Sequence, residues 1–236
     1  MNSDNDKLKF VSRNEIKYIV DYQTAVKIRS KLGIYLPLEA HCDNGPYRVK
    51  SLYFDSWNNQ DLYEKIQGEE ERKKLRLRIY DEKDNIAKME LKAKKGNYSN
   101  KYSILCDNEE VKQIIEGNYS ILLDKNSEVA ELIYKELVMG FYHPKVIIEY
   151  DRYAYEYPLG NTRITFDENV RVISNCTDLT KKELPYINID PSIVILEVKF
   201  NGELSNTVKD VLKEFNLNQN SFSKYANSRM MINAYI

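Results

Sequence analysis

Three triplets of acid, aliphatic residue and base stand far apart in the chain: Glu15-Ile16-Lys17, Glu90-Leu91-Lys92 and Glu197-Val198-Lys199. In a strand, residues i and i+2 share a face and lie ~6.5–7 Å apart. Each triplet therefore sets a carboxylate beside an ammonium group and turns its aliphatic residue the other way. Arg13 extends the first triplet, Arg76 and Arg78 share a face, and so do Arg163 and Asp167. Arginine and lysine match phosphate oxygens in geometry and charge. Spare carboxylates suit a hard divalent cation such as Mg2+ or Mn2+. For any single strand the competing reading is a wet sheet face laced with ion pairs.

Taken together, the strands favour an enclosed site. The opposite faces are strongly apolar, with Leu75, Leu77, Met89, Leu91, Ile164, Phe166, Leu196, Val198 and Phe200. The charged face is basic although the chain is not. Arg13, Lys17, Arg76, Arg78, Lys92, Lys101, Arg152, Arg163, Lys199 and Lys224 are ten cations, against the five anions Glu15, Glu90, Glu149, Asp167 and Glu197. Glu149 belongs there only if a bulge changes its parity with Arg152. Eight antiparallel strands suffice to close a barrel and remove its edges. A dry lumen with these charges would be very unfavourable; a wet one holding a phosphate chain and a metal is sensible.

The elements that must position these residues are legible from periodicity. Strands are predicted over 10–19, 46–55, 73–81, 86–94, 100–106, 145–156, 161–167 and 193–200, and helices over 22–33, 107–117, 126–140, 204–215 and 222–233. Asp21, Asp107 and Ser205 stand at N-cap positions. Short connections favour antiparallel pairing, and the class is α+β, read as one domain over 1–236. The formal net charge of −1 argues against a general affinity for nucleic acid. Three scattered cysteines without a C-x-x-C point to free thiols in a reducing compartment. No apolar run approaches the ~18 residues of a membrane span. The expectation is a cytoplasmic protein that reaches a membrane, if at all, through a membrane-protein partner.

The segments 13-RNEIKY-18, 51-SLYFDSWNNQDLYEKI-66, 75-LRLRIY-80, 90-ELK-92 with Lys101, 151-DRYAY-155 followed by 163-RITFD-167, 195-ILEVKF-200 and 222-FSKY-225 cover nearly the whole chain. In this order they resemble the VTC (vacuolar transporter chaperone) polyphosphate polymerase domain, a branch of the triphosphate tunnel metalloenzymes. The resemblance implies an eight-stranded antiparallel β-barrel tunnel with helices packed outside. It implies that Arg76, Arg78, Lys92, Arg163 and Lys199 act on the transferring phosphates. Arg13, Lys17, Lys101, Arg152 and Lys224 would bind substrate, and Glu197, assisted by Glu15 and Glu90, would hold Mn2+ or Mg2+. The implied reaction moves the γ-phosphate of ATP onto a growing polyphosphate chain, with pyrophosphate or triphosphate as further ligands and no nucleic acid. Arg13 replaces the first glutamate of the superfamily's E-x-E-x-K, which favours the VTC branch. Lys94 replaces a histidine of some members, and Ser221 a further lysine.

A hydrolase of inorganic or organic triphosphates and a non-catalytic polyphosphate-binding subunit are the rival readings. Arg48 and Lys50 share a face with Leu52 and Phe54 and are expected to reach solvent at a strand end. The tyrosines of 150-YDRYAYEY-157 are expected to pack within a strand, and His143 to mark a strand entrance. Trp57 and its asparagines read as a loop.

Overall fold

The alternation at 71–107 folds into three antiparallel strands, β4 (Glu71–Ile79), β5 (Ile86–Lys95) and β6 (Tyr98–Asp107). Their register sorts the two faces. Leu75 lies opposite Leu91 and Leu77 opposite Met89, while Arg76 lies opposite Glu90. A computed structural model describes residues 9–10, 14–80, 86–96, 98–157, 159–181 and 183–235.

The remaining strands are β1 (Lys9–Phe10), β2 (Asn14–Asp21), β3 (Tyr47–Asp55), β7 (His143–Tyr157), β8 (Thr162–Ile173), β9 (Ile187–Asn188) and β10 (Ile193–Phe200). All pairs are antiparallel, in the order β1-β6-β5-β4-β3-β7-β8-β10-β2, with β9 beside β8. The eight predicted strands are all present. The sheet curls until its ends meet. The N-terminal run pairs with β6 through β1 and with β10 through β2, and Lys92 of β5 lies 3.5 Å from Glu15 of β2. Among the described residues the run changes partner at this seam and no ladder joins β2 to β5 or β6, so the sheet is curled into a tunnel but is not the closed barrel expected.

Four helices cover the outside. Helices α1 (Tyr22–Leu32) and α5 (Asn206–Lys213) bury Ile28, Leu32, Val208 and Leu212 against Ile164, Phe166, Leu196 and Val198. Helices α3 (Asn108–Ile115) and α4 (Glu128–Met139) bury Val111, Ile114, Ile133 and Leu137 against Leu75, Leu77, Met89 and Leu91. Asp21, Asp107 and Ser205 cap their helices as predicted, Asp107 within a capping box. The helix α2 (Gln60–Gln67) was not predicted. Its N-terminal amides are held from a distance: Asp55, at the end of β3, accepts from the backbone N–H of Asp61 and Leu62 at 3.0 and 3.2 Å. A cap six residues upstream leaves no local signature.

The last helix, α6 (Lys224–Tyr235), behaves differently. Phe222, Tyr225, Ala226 and Ile232 pack on Val49, Ile148, Val170, Val172 and Ile195, side chains that share the inner face with the charged residues. Part of the lumen is therefore an apolar core. A bulge lies between Glu149 and Asp151, yet Glu149 stays on the outer face. There it meets Arg171 at 2.5 Å, Lys50 at 3.7 Å and the Tyr186 hydroxyl at 3.0 Å. Lys50 does not reach solvent as expected. It is buried beneath the segment that follows β8 and donates to the Lys181 carbonyl at 2.6 Å; Arg48 does reach the surface.

Candidate functional site

Two walls line the charged part of the lumen. On the first, formed by β4, β5 and β6, Glu90 is buried among cations: Arg76 Nε at 2.6 Å, Arg78 at 3.8 Å, and Lys101 in direct contact. Burial pushes the Glu90 carboxyl up, but these three neighbours outweigh it and hold it far below the carboxylate range. Arg76 also donates to the Tyr53 hydroxyl at 3.1 Å, and Arg78 donates to Ser51, Tyr80 and Tyr150. Both guanidiniums are thus fixed before any ligand arrives.

The second wall, from β7, β8, β10 and β2, interleaves acids and bases. Arg152 makes two bonds to Asp167, at 2.6 and 2.8 Å, and Lys224 approaches the same carboxylate at 2.5 Å. Lys199 lies 2.9 Å from Glu197, and Lys17 lies 2.7 Å from Glu15. In register Lys17 faces Glu197 and Glu15 faces Lys199, so the four charges form a checkerboard. Burial opposes ionisation of Glu197, but Lys199, Lys17 and Lys224 hold it ionised well below its ordinary range. Glu15 is also lowered: burial and Glu197 push it up, and Lys17, Lys92 and Lys199 outweigh them.

Glu15 and Glu197 feel each other's charge, whereas Glu90 is committed to the opposite wall. Among the described residues no group of three or more His, Cys, Asp or Glu could hold a metal alone. This donor set fits an ion held by one or two carboxylates with ligand phosphates completing its shell, the usual manner of Mg2+. Glu197 and Glu15 are the residues placed for it.

Of the predicted residues, Lys17, Arg76, Arg78, Glu90, Lys92, Lys101, Arg152, Glu197, Lys199, Lys224 and Glu15 lie together on the inner face. Arg13 lies outside the described residues. Arg163 is on the same face beside Lys199, but it is tied to Glu39 by two bonds and to Tyr47 at 3.1 Å. Sequence reading passed over Glu39, which sits in a loop without periodicity. It also passed over Lys74 and Tyr53. Lys74 continues the parity of Arg76 and Arg78, and Tyr53 lies opposite Arg76 in register. Tyr150 faces the lumen too: Arg78 and Arg152 donate to its hydroxyl and Lys224 lies 4.6 Å from its ring centre. Tyr155 packs in the core, as expected, on the outer face under α1.

An antiparallel sheet curled around a cation-lined lumen, with carboxylates set among the lysines, defines a protein of the triphosphate tunnel class. The chain belongs to the VTC domain family, whose model matches residues 12–233. Two solved structures share the fold. A candidate adenylate cyclase from Bacillus halodurans is 16% identical with a TM-score of 0.51, covering 90% of this chain and 96% of its own. A candidate adenylyl cyclase from Hippeastrum, with a dominant triphosphatase activity, is 14% identical with a TM-score of 0.53, covering 92% and 96%. Among curated proteins none matches the chain. No helix among the described residues is long and apolar enough to cross a membrane.

Proposed function

We propose that this VTC domain is a metal-dependent polyphosphate polymerase that transfers the γ-phosphoryl group of ATP to the end of a polyphosphate chain. The observation that carries this reading is the pair of facing walls: fixed guanidiniums on one side, and alternating lysines and carboxylates on the other. Phosphoryl transfer needs positioning and charge neutralisation more than covalent chemistry. Arg76, Arg78, Lys92, Arg163 and Lys199 would grip the transferring phosphates, while Lys17, Lys101, Arg152 and Lys224 would hold the rest of the substrate. A terminal oxygen of the chain attacks the γ-phosphorus, the bond to the β,γ-bridging oxygen breaks, and ADP leaves with that electron pair. No protein nucleophile takes part. Mn2+ or Mg2+ held by Glu197 and Glu15 would supply charge neutralisation on the phosphates. Glu90 is better suited to orienting Arg76 and Arg78. Buried free thiols at Cys42 and Cys106 agree with a reducing, cytoplasmic setting where ATP is abundant, and any membrane association would come through a partner.

The second reading, a triphosphate hydrolase, is favoured by the triphosphatase activity of the Hippeastrum structure; water would then replace the chain end as acceptor. Incubation of the pure protein with ATP and Mn2+ separates the readings. Long polyphosphate on a gel supports the polymerase, free phosphate alone the hydrolase, and binding without turnover a non-catalytic module.

A further inference from the structure

The inner face runs on beyond the two walls. Arg72 and Lys94 face each other across β4 and β5, one inward-facing position past the pair Lys74 and Lys92. Lys65 of α2 stands within electrostatic reach of both and of Lys17 across the lumen; after burial, these three push its ammonium group below its ordinary range. Lys74 is surrounded likewise by Lys17, Arg76 and Lys92. The wall cations Arg76, Lys101, Arg152, Lys224, Lys17 and Lys199 each have a carboxylate partner. Among the described residues Lys65, Arg72, Lys74 and Lys94 form no such pair, although Glu15 sits nearby on Lys17 and Lys92. Like charges held together without counter-charge raise the energy of the empty protein, and a passing polyanion relieves that cost.

We propose that Lys65, Arg72, Lys74 and Lys94 form a second anion subsite at the α2 end of the tunnel, which binds the part of a long polyphosphate chain that lies beyond the two walls. This inference rests on the reading of the walls as a phosphate-chain site. Arg72 stands four residues along β4 from Arg76, ~13 Å, so a triphosphate centred on Arg76 and Arg78 reaches at most the level of Lys74 and Lys92 and stops short of Arg72 and Lys94. A longer chain continues into the cluster. The subsite therefore adds affinity once the chain is long enough to reach it, and salt weakens that increment because Lys65, Arg72 and Lys94 are only half-buried.

The test compares wild type with a Lys65→Gln, Arg72→Gln, Lys94→Gln variant. Lys74 is left in place because it also reaches the Tyr53 ring beside Arg76. Dissociation constants are measured for tripolyphosphate, long-chain polyphosphate and a single-stranded DNA of matched charge. Wild type is expected to prefer the long chain. The variant is expected to lose that preference by about tenfold, roughly 1.4 kcal/mol, while its tripolyphosphate affinity stays within about twofold. Lys65→Gln alone, at the surface of α2, gives the same reading with an effect of about threefold should the triple variant not fold. An equal loss for tripolyphosphate, or an unchanged preference for the long chain, overturns the subsite. So does DNA binding as tight as that of polyphosphate and equally lost. A wild type that binds no tripolyphosphate overturns the wall site and the subsite together, and so separates the two failures.

Discussion

The two walls of the lumen hold similar charges in different ways. On the β4–β6 wall one carboxylate, Glu90, serves Arg76, Arg78 and Lys101 at once, and hydroxyls from Tyr53, Ser51, Tyr80 and Tyr150 fix the guanidiniums further. On the β10–β2 wall each lysine has its own carboxylate two residues away, Lys199 with Glu197 and Lys17 with Glu15. Flexible ammonium groups can leave a carboxylate for a phosphate; a guanidinium locked by several bonds stays where it is. On the proposed function the first wall would be a preorganised grip and the second an exchangeable one, whose acids Glu197 and Glu15 would be the ones to hold a metal.

The comparison breaks most visibly if the grip is removed. Arg76→Ala together with Arg78→Ala is expected to lower turnover about 10³-fold or more, since charge-stabilising arginines in phosphoryl transfer carry effects of that order. Tripolyphosphate affinity should fall on the order of 10–100-fold for each arginine lost. Steady-state rates and calorimetric titration read the two effects; unchanged affinity in both single variants would move the phosphate site elsewhere.

A sharper contrast comes from replacing one carboxylate on each wall. Glu197→Gln should keep the fold and phosphate binding but lose metal-dependent turnover, because the amide keeps the shape and removes the charge. Glu90→Gln should do the reverse. It leaves the buried Arg78 and the half-buried Arg76 without their anion, which costs on the order of 2–4 kcal/mol, a drop in melting temperature of about 5–15 °C. Its midpoint in a Mn2+ titration of turnover should be unchanged. A Glu197→Gln protein with wild-type rate and metal dependence would remove Glu197 from the reaction.

Lys74 and Tyr53 give a pH effect of intermediate size. Burial, with Lys17, Arg76 and Lys92, brings the Lys74 ammonium down to about 8 against the opposing pull of Tyr53. Burial would raise the Tyr53 hydroxyl, but Arg76, Lys74 and Arg78 outweigh it and bring it down to about 7. Both groups lose protons as pH rises from 6 to 9, so the lumen loses positive charge and gains a phenolate. Sulfate, which does not titrate in this range, should bind about tenfold more weakly at the alkaline end. Combining Lys74→Gln with Tyr53→Phe should flatten the profile, and a flat profile in wild type would contradict the placement of both groups.

Much of this was legible in the sequence, for a definite reason. Leu75, Leu77, Met89 and Leu91 must alternate with Arg76, Arg78 and Glu90 because the outer face meets helices and the inner face of these strands meets the charged part of the lumen, so strand parity encodes the site directly. What escaped depends on tertiary placement. Helix α2 is capped by Asp55 from a strand end, Arg163 is held by Glu39 from an aperiodic loop, and Lys50 is buried by the segment that folds over it. Alternation cannot tell Val170 and Ile195, which meet α6 inside the lumen, from residues that face an outer helix.

An effect on stability and not on binding concerns Asp167, where the second wall joins α6. Its carboxylate is fully buried and receives two bonds from Arg152 and one from Lys224. Burial pushes the carboxyl up, but these cations outweigh it and hold it at about 2. An unfolded chain titrates this group near ~3.9. A carboxyl lowered on folding stabilises the protein above the unfolded value, and that stabilisation fades as pH falls through the folded one. The window is therefore about pH 4 down to 2, and the contribution on the order of 2 kcal/mol. Glu90, Glu197 and Glu15 are lowered as well, so wild type alone cannot isolate the effect. The measurement is the stability gap between wild type and Asp167→Asn, from denaturant melts at several pH values. The gap should be widest near neutrality and shrink through this acid window, because protonated aspartic acid and asparagine are both uncharged. A gap that stays constant down to pH 2 would mean that Arg152 and Lys224 do not hold Asp167 as an ion.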